Sequence, residues 1–490
     1  MTAEDRARPG PPPFARPDDA YEPDPRRWRA LIVVLVAGFM VLLDVSIVNV
    51  ALPSIARGLG ADDSDLQWVV SGYALAFGLV LVAGGRIGDA RGRRPTLMIG
   101  LAIFTLASAA CGLARSAVML IIARLVQGVG GGLVTPQNAG LIQHLFRGAE
   151  RGRAFGLFGA VVGVSTAIGP LLGGLLIQFG GAQEGWRWIF FVNLPVGIVA
   201  MILAVRTVPH RPRQKGERTD YDPVGAVVLG LATLLVLLPF VESRTWSGGL
   251  KWTLLVPAAL LGVLFVRWER WYGRRGREPM VDLALFGRRS YTFGAALALA
   301  YFVGFTGVFF IYALFLQDGM GYTALQSGLA STPFALGSAV GAWLGGRVIT
   351  RIGSRLVAAG LVLVIVGLVA SWAAIGLVDS PAVGWAVAAP FLVAGLGSGL
   401  VIAPNQTLAL SEVPPRQGGA AGGVLQTGQR IGSAAGIAAV GSLYYSRLAS
   451  TGGDFSAAVR DGFVLIVAFV AVALAIGIAD IVVDRAASRN

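Results

Sequence analysis

Residues 43–53 read LDVSIVNVALP and close an apolar run that begins near Ala30. About 20 apolar residues are enough to carry a helix across the roughly 30 Å hydrocarbon core of a bilayer, so the run reads as a membrane span. Asp44 lies inside it, and no other charge occurs between Arg29 and Arg57. A carboxylate in that setting is expensive. It marks either a functional group facing a bundle interior or wet cavity, or a packing residue held by neighbouring hydroxyls.

The rest of the chain agrees with a membrane solvent. It has 490 residues, is 55% hydrophobic and only 14% charged, with a mean hydropathy of +0.69. Soluble domains carry charge on about a quarter of their residues. The formal net charge of +13 comes almost entirely from arginine, Lys215 and Lys251 being the only lysines. The arginines fall in short clusters between apolar runs, which is the signature of cytosolic loops rather than of a nucleic-acid surface. Cys111 is the single cysteine, and His144 and His210 are the only histidines, so neither an internal disulfide nor a metal site is expected.

Residues 1–27 are rich in Pro, Asp and Arg with no apolar core; they read as a disordered cytosolic tail, not a signal peptide. Fourteen apolar segments follow, near 30–52, 66–84, 95–114, 117–142, 154–179, 188–208, 223–241, 251–268, 291–316, 324–345, 356–378, 384–410, 418–444 and 462–483. One set of connections holds Arg86, Arg91, Arg93 and Arg94; Arg147, Arg151 and Arg153; Arg206, Arg211, Arg213, Lys215 and Arg218; Arg267 to Arg289; and Arg347, Arg351 and Arg355. The opposite set is short and acidic, with Asp62, Asp63, Asp65, Asp318, Asp379, Asp454 and Asp461. Both termini are therefore expected in the cytosol, with residues 485–490 a short cytosolic tail.

An internal repeat divides the chain. LVQGVGGGL at 125–133 returns as LVAGLGSGL at 392–400, and GRIGDARGRR at 85–94 returns as GRVITRIGSR at 346–355. Glycines 156, 159, 169 and 173 recur at 419, 422, 432 and 436. The expected architecture is an N-terminal six-helix half over 28–208, basic cytosolic loops with two inserted spanners over 209–290, and a C-terminal six-helix half over 291–484. Transporters built from such repeats place their site near the midplane where the halves meet. Arg124 aligns with Phe391, Gln127 with Ala394, Asp89 with Thr350 and Pro170 with Ser433. The scaffold is duplicated and the ionisable residues are not, which concentrates the expected chemistry in the first half.

Several motifs together resemble one family. LDVSIVNVALP, GRIGDARGRR, RLVQGVGGG at 124–132, GVSTAIGPLLGG at 163–174, WRWIFFVNLPVGI at 186–198 and REPMVDLALF at 277–286 are similar to the major facilitator superfamily. Within it they resemble the fourteen-spanner drug:proton antiporters of the EmrB/QacA type. The resemblance implies an all-α polytopic fold of two pseudo-symmetric six-helix halves plus two central spanners. It also implies a multidrug exporter of the cytoplasmic membrane driven by the proton gradient, with no cofactor. The family's loop motif usually has a basic residue directly after the aspartate; here Ala90 intervenes before Arg91.

The physical reading stands beside that resemblance. Gly85, Gly88 and Gly92 permit a tight turn and close backbone approach. Asp89 can meet the positive end of a neighbouring helix, while Arg91, Arg93 and Arg94 anchor the cytosolic side; the resemblance implies that this loop latches the halves in an outward-open state. Arg124 should lie roughly 10 Å deep and Asp44 roughly 13 Å deep from the same face, counted at 1.5 Å per residue. Burial favours a neutral carboxyl and a nearby cation favours an ionised one, so such a pair can exchange a proton as geometry changes. A static ion pair is the plainer reading. Gly163, Gly169, Gly173 and Gly174 allow close packing, and Pro170 favours a bend; the resemblance makes this stretch an exporter motif. Asn49, Gln67, Trp68, Tyr73, Gln127 and Asn138 are candidates to line the cavity. Arg430 is a buried cation with no obvious partner, left open between substrate and cytosolic gate.

No phosphate-binding GxxxxGK loop, hydrolase triad or zinc-protease motif occurs, so neither an ATP-driven pump nor an enzyme is expected. The expected function is a monomeric antiporter that exports amphipathic compounds by alternating access, its partners being protons, small substrates and the bilayer, with no nucleic acid. A dedicated exporter of an endogenous metabolite or lipid is the alternative. A proton-coupled importer or a non-transporting receptor fits less well.

Overall fold

The computed structural model describes residues 23–181, 183–209, 222–241, 248–378 and 380–487. Most of the expected N-terminal tail, His210, Arg211, Arg213, Lys215, Arg218, Asp379 and residues 488–490 lie outside them. The described residues are helical and contain no strand. In chain order the α-helices are α1 (Arg27–Leu59), α2 (Asp63–Arg91), α3 (Arg93–Gly112), α4 (Ala117–Leu145), α5 (Gly148–Gly180), α6 (Trp188–Phe191) and α7 (Asn193–Thr207). There follow α8 (Pro223–Val241), α9 (Leu255–Arg274), α10 (Arg289–Leu314), α11 (Ala324–Ile352), α12 (Ser354–Leu377), α13 (Val383–Ala409), α14 (Gly418–Ser450) and α15 (Phe455–Ala487). The short α6 continues into α7, making one span over Gly185–Thr207.

Twelve helices among the described residues are long and apolar enough to cross a membrane. The chain is a multi-pass membrane protein. Helices α11 and α14 stand outside that set although they run 29 and 33 residues. Their Gly, Ser, Thr and Gln residues lower their hydropathy, and both are packed against other helices. The expected fourteen spans are thus twelve by composition and two long helices besides.

The repeat is visible in the backbone. Gly92 closes α2 and opens α3 at φ +104°; Gly353 closes α11 and opens α12 at φ +62°. These are the two glycines that the duplicated loop motif aligns, and a positive φ is the conformation that only glycine adopts freely. At the opposite end, Asp62 and Thr323 cap α2 and α11 with matching capping boxes, each satisfying two otherwise orphaned amides.

Helices α1–α7 bury apolar cores around Val34, Phe77, Phe104 and Phe155, joined there by Tyr291, Ala421 and Leu425 of the second half, and around Ile47, Leu120 and Trp186; α10–α15 bury another around Tyr312, Phe334, Phe391 and Phe463. Contact between the two groups runs along α5 and α11 on one side and α2 and α14 on the other. Glycine makes the approach possible. A side chain at Gly156 would strike the backbone of Gly346, and one at Gly163 would strike Ala335 and Ala339 of α11.

The inserted pair α8 and α9 packs together and lies over α2 and α14. Asp222 accepts hydrogen bonds from the Gly225 amide and Trp268 Nε1, and Glu269 accepts one from the Val281 amide. The stretch after α9 then bridges both halves. Glu278 pairs with Arg86 of α2 at 2.6 Å, Asp282 accepts from Gln417 at 3.0 Å, and Met280 and Val281 pack with Val82 and Val424.

Candidate functional site

Asp44 and Arg124 meet. Arg124 donates from one terminal nitrogen to Asp44 Oδ2 at 2.5 Å and to Gln127 Oε1 at 2.7 Å, and its Nε donates to the Val69 carbonyl at 3.0 Å. Asp44 Oδ1 accepts from Gln127 Nε2 at 2.8 Å and from Asn193 Nδ2 at 2.9 Å. Ser108 Oγ takes the second bond of each amide, at 2.7 and 3.3 Å. Asp44 is wholly buried and Arg124 is 1% exposed. The guanidinium also lies over the Tyr73 ring, 4.2 Å from its centroid.

Four spans supply the hydrogen-bonding side chains of this cluster, and α2 adds the Val69 carbonyl and the Tyr73 ring. Arg124 and Gln127 stand one helical turn apart on α4, so they face the same way. Asp44 comes from α1, Ser108 from α3 and Asn193 from the first turn of α7. Every partner lies in the first half, and both oxygens of Asp44 are taken. In this conformation the carboxylate is enclosed by protein and does not itself line a cavity. A desolvated carboxylate is tolerable only with such compensation.

Asn193 and Ser108 were absent from the expected site. Each is a small polar residue inside an apolar segment, and Asn193 lies in the WRWIFFVNLPVGI motif. That polarity was the available signal.

The loop motif holds a second polar cluster at the arginine-rich end. Asp89 pairs with Arg93 one turn later at 2.7 Å, and it reaches across to the start of α14. There its carboxylate accepts from the Gly419 amide at 3.1 Å and the Ala420 amide at 2.8 Å. These are first-turn amides with no partner in their own helix, at a helix N-terminus where anions bind well. Arg93 also donates to the carbonyls of Gly140 and Pro415, and Arg94 to the Val208 carbonyl. Gly85 lies flat against Gly419, where any side chain would collide with the facing backbone. Gly88 gives the same clearance to Gln137. Arg91 is exposed in the last turn of α2. Gln143 donates to the Leu410 carbonyl, adding a further tie between halves.

The motif over 163–174 divides its faces. Gly163 opens toward α11, whereas Gly169 and Gly173 face Ser46 and Ile47 of α1. Pro170 packs beside Gly328, and Gly174 lies near Leu325. Helix α5 runs unbroken through Pro170.

The cavity candidates separate. Gln127 belongs to the buried ion cluster. Tyr73 is buried beside Arg124 with its hydroxyl unpartnered, and both amide atoms of Asn138 are likewise buried without partners. Trp68 is half-buried. Gln67 donates to the Val241 carbonyl at the end of α8, so it joins the inserted pair to α2. Asn49 is exposed and bonds the carbonyl one turn back. Arg430 lies over the Phe77 ring at 4.5 Å. Among the described residues no group of His, Cys, Asp and Glu is arranged to hold a metal ion.

Comparison with known proteins places this geometry in a family. The family model described as Major Facilitator Superfamily matches residues 34–437. The probable actinorhodin transporter of Streptomyces coelicolor is 36% identical over 456 residues, 92% of this chain and 76% of that protein. The puromycin resistance protein pur8 of Streptomyces alboniger is 35% identical, with 85% and 81% covered. The multidrug resistance protein Stp of Mycobacterium tuberculosis is 34% identical, with 84% and 75% covered. Among solved structures, the human organic anion transporter MFSD10 superposes with a TM-score of 0.66 at 16% identity, covering 93% of this chain and all of that one. That likeness speaks for the fold. With a family match over most of its length and relatives above 30% identity, this chain belongs to the Major Facilitator Superfamily of transporters, and it is not an enzyme.

Proposed function

We propose that the protein is a proton-coupled antiporter that exports amphipathic compounds across the cytoplasmic membrane, of the EmrB/QacA type. The observation that carries this reading is the enclosed Asp44–Arg124 pair within a membrane-spanning bundle. Protonation and the ion pair are two ways of neutralising the same buried carboxylate. A conformational change that separates them exchanges one for the other, which is what coupling a proton to a moving bundle requires. Asp44 is the carboxyl that carries the proton; Arg124, Gln127, Asn193 and Ser108 set when it is held.

In this reading the arginine-rich end faces the cytosol together with both termini, and α11 and α14 span the membrane to make fourteen spans. Their glycine-rich, polar faces suit helices that line the path between the halves. Asp89, Arg93 and the α14 amides form a cytosolic latch, with Gly85 and Gly92 giving it room. Glycines 163, 169, 173 and 174 with Pro170 let α5 slide on α1 and α11. The protein acts as a monomer, needs no cofactor, and takes its energy from the proton gradient.

Relatives named for actinorhodin transport, puromycin resistance, tetracenomycin C export and multidrug resistance support export of drug-like amphiphiles. The actinorhodin and cephamycin names also favour a second reading, a dedicated exporter of one endogenous metabolite. A substrate panel screened for proton release from respiring everted vesicles tests both. Release with many unrelated amphiphiles supports the multidrug reading, release with one class the dedicated exporter, and transport without proton movement removes the coupling.

A further inference from the structure

Among the described residues most interior arginines have a polar partner, and Arg430 does not; Arg460, over the Trp372 ring, shares that lack but stands near the start of α15 against α12, away from the contact between the halves. Arg124 has Asp44, Arg93 has Asp89, Arg289 has Asp480, and Arg151 donates to the carbonyls of Phe146 and Ser411. Arg430 has the Phe77 ring, and among the described residues no carboxylate pairs with it. A cation–π contact recovers only part of what a guanidinium loses on leaving water.

Its place in the fold explains where it points. Gly419, Gly422, Gly423, Gln426 and Arg430 form one stripe along α14, the first and last being eleven residues, about three turns, apart. The lower members meet the first half: Gly419 meets Asp89, Gly422 meets Ala139 and Gly423 meets Leu81. Further up, Gly432 and Gly436 turn instead against Leu299 and Val303 of α10. Along this helix the contacts with the first half therefore give way to contacts with α10 on the opposite face. Arg430 sits at that change of contacts, on the face toward α2. Nearby on the same two helices, the hydroxyls of Tyr73 and Thr427 and the amide oxygen of Gln426 are buried without partners. Asp44 is not the missing anion, since Arg124, Gln127 and Asn193 occupy both its oxygens.

We propose that Arg430 is the recognition point for an acidic group, a carboxylate, sulfonate or ionised phenol, on the exported amphiphile. The guanidinium offers a planar fork of donors that matches such a group. The unpartnered hydroxyls and amide beside it suit a substrate's further polar substituents. This assignment rests on the export reading and names its substrate class. An anionic phospholipid headgroup carries the same chemistry, so the test separates the two sources.

Full-length protein in phosphatidylcholine nanodiscs is titrated with anilinonaphthalene sulfonate and with phenylnaphthylamine, which lacks only the sulfonate. The wild type should bind the sulfonate dye more tightly. Arg430→Gln should weaken that dye by at least about tenfold, the scale of a charged hydrogen bond, and leave the neutral dye unchanged, which also shows the variant is folded. Arg430→Lys should restore part of the loss. Equal sulfonate affinity in wild type and Arg430→Gln overturns the proposal, as does displacement of the dye by added phosphatidylglycerol, which would make a lipid the anion. If everted vesicles still extrude phenylnaphthylamine with proton release in either case, the export reading stands without the anion site. Failure of the wild type to bind or move either dye overturns both.

Discussion

Arg124 and Asp44 are joined at 2.5 Å in the interior of the first half, and both are buried in this conformation. Breaking a buried pair by removing one partner costs about 3–5 kcal/mol, because the other charge is left uncompensated. Asp44→Asn should therefore lower the unfolding temperature as well as abolish transport against a gradient. The double variant Asp44→Asn with Arg124→Gln should regain stability and remain inactive. Thermal unfolding of the purified variants, read beside vesicle efflux, checks this; a single variant as stable as the wild type would contradict it.

Arg124→Ala should move the pH profile of transport upward. Taking a cation from beside a carboxylate favours the protonated form, so release of the proton requires a higher pH. A reduced rate with an unmoved profile would mean that Arg124 acts on structure alone.

Asn193→Leu removes one of the two amide donors to Asp44 Oδ1. It should shift the same profile in the same direction by less, since a neutral donor stabilises a carboxylate less than a guanidinium does. Proton-coupled efflux across a pH series measures both variants on one scale.

Gly85→Val should wedge α2 from α14, because any side chain there meets the Gly419 backbone. Closure of the arginine-rich end should fail while the Asp44 cluster stays intact. Distance measurements between spin labels on α2 and α14 should show a wider separation, with transport reduced and its pH midpoint unchanged. An unaltered distance would remove Gly85 from the latch.

The pairing of Asp44 with Arg124 was legible because each is a lone charge in an apolar helix, and depth along a helix follows from counting residues. The duplicated loop was legible too, and Gly92 and Gly353 share its positive φ. Direction around a helix was harder to read. Gln67 looked suited to a cavity and instead holds the end of α8, since nothing in a single span says where an inserted helix will lie. Asn193 and Ser108 carry no charge to betray them. Composition falls short of the expected fourteen spans at α11 and α14, whose packing against other helices admits glycine and polar residues that hydropathy penalises.

Proteoliposomes holding only this protein, a trapped pH indicator and an externally supplied amphiphilic dye give the most direct test of the coupling. With an imposed proton gradient and no respiration, the wild type should move dye against its own gradient while protons flow the other way, and the Asp44→Asn protein should do neither. Uphill dye movement by Asp44→Asn equal to the wild type, or wild-type transport without any proton flux, would contradict the account.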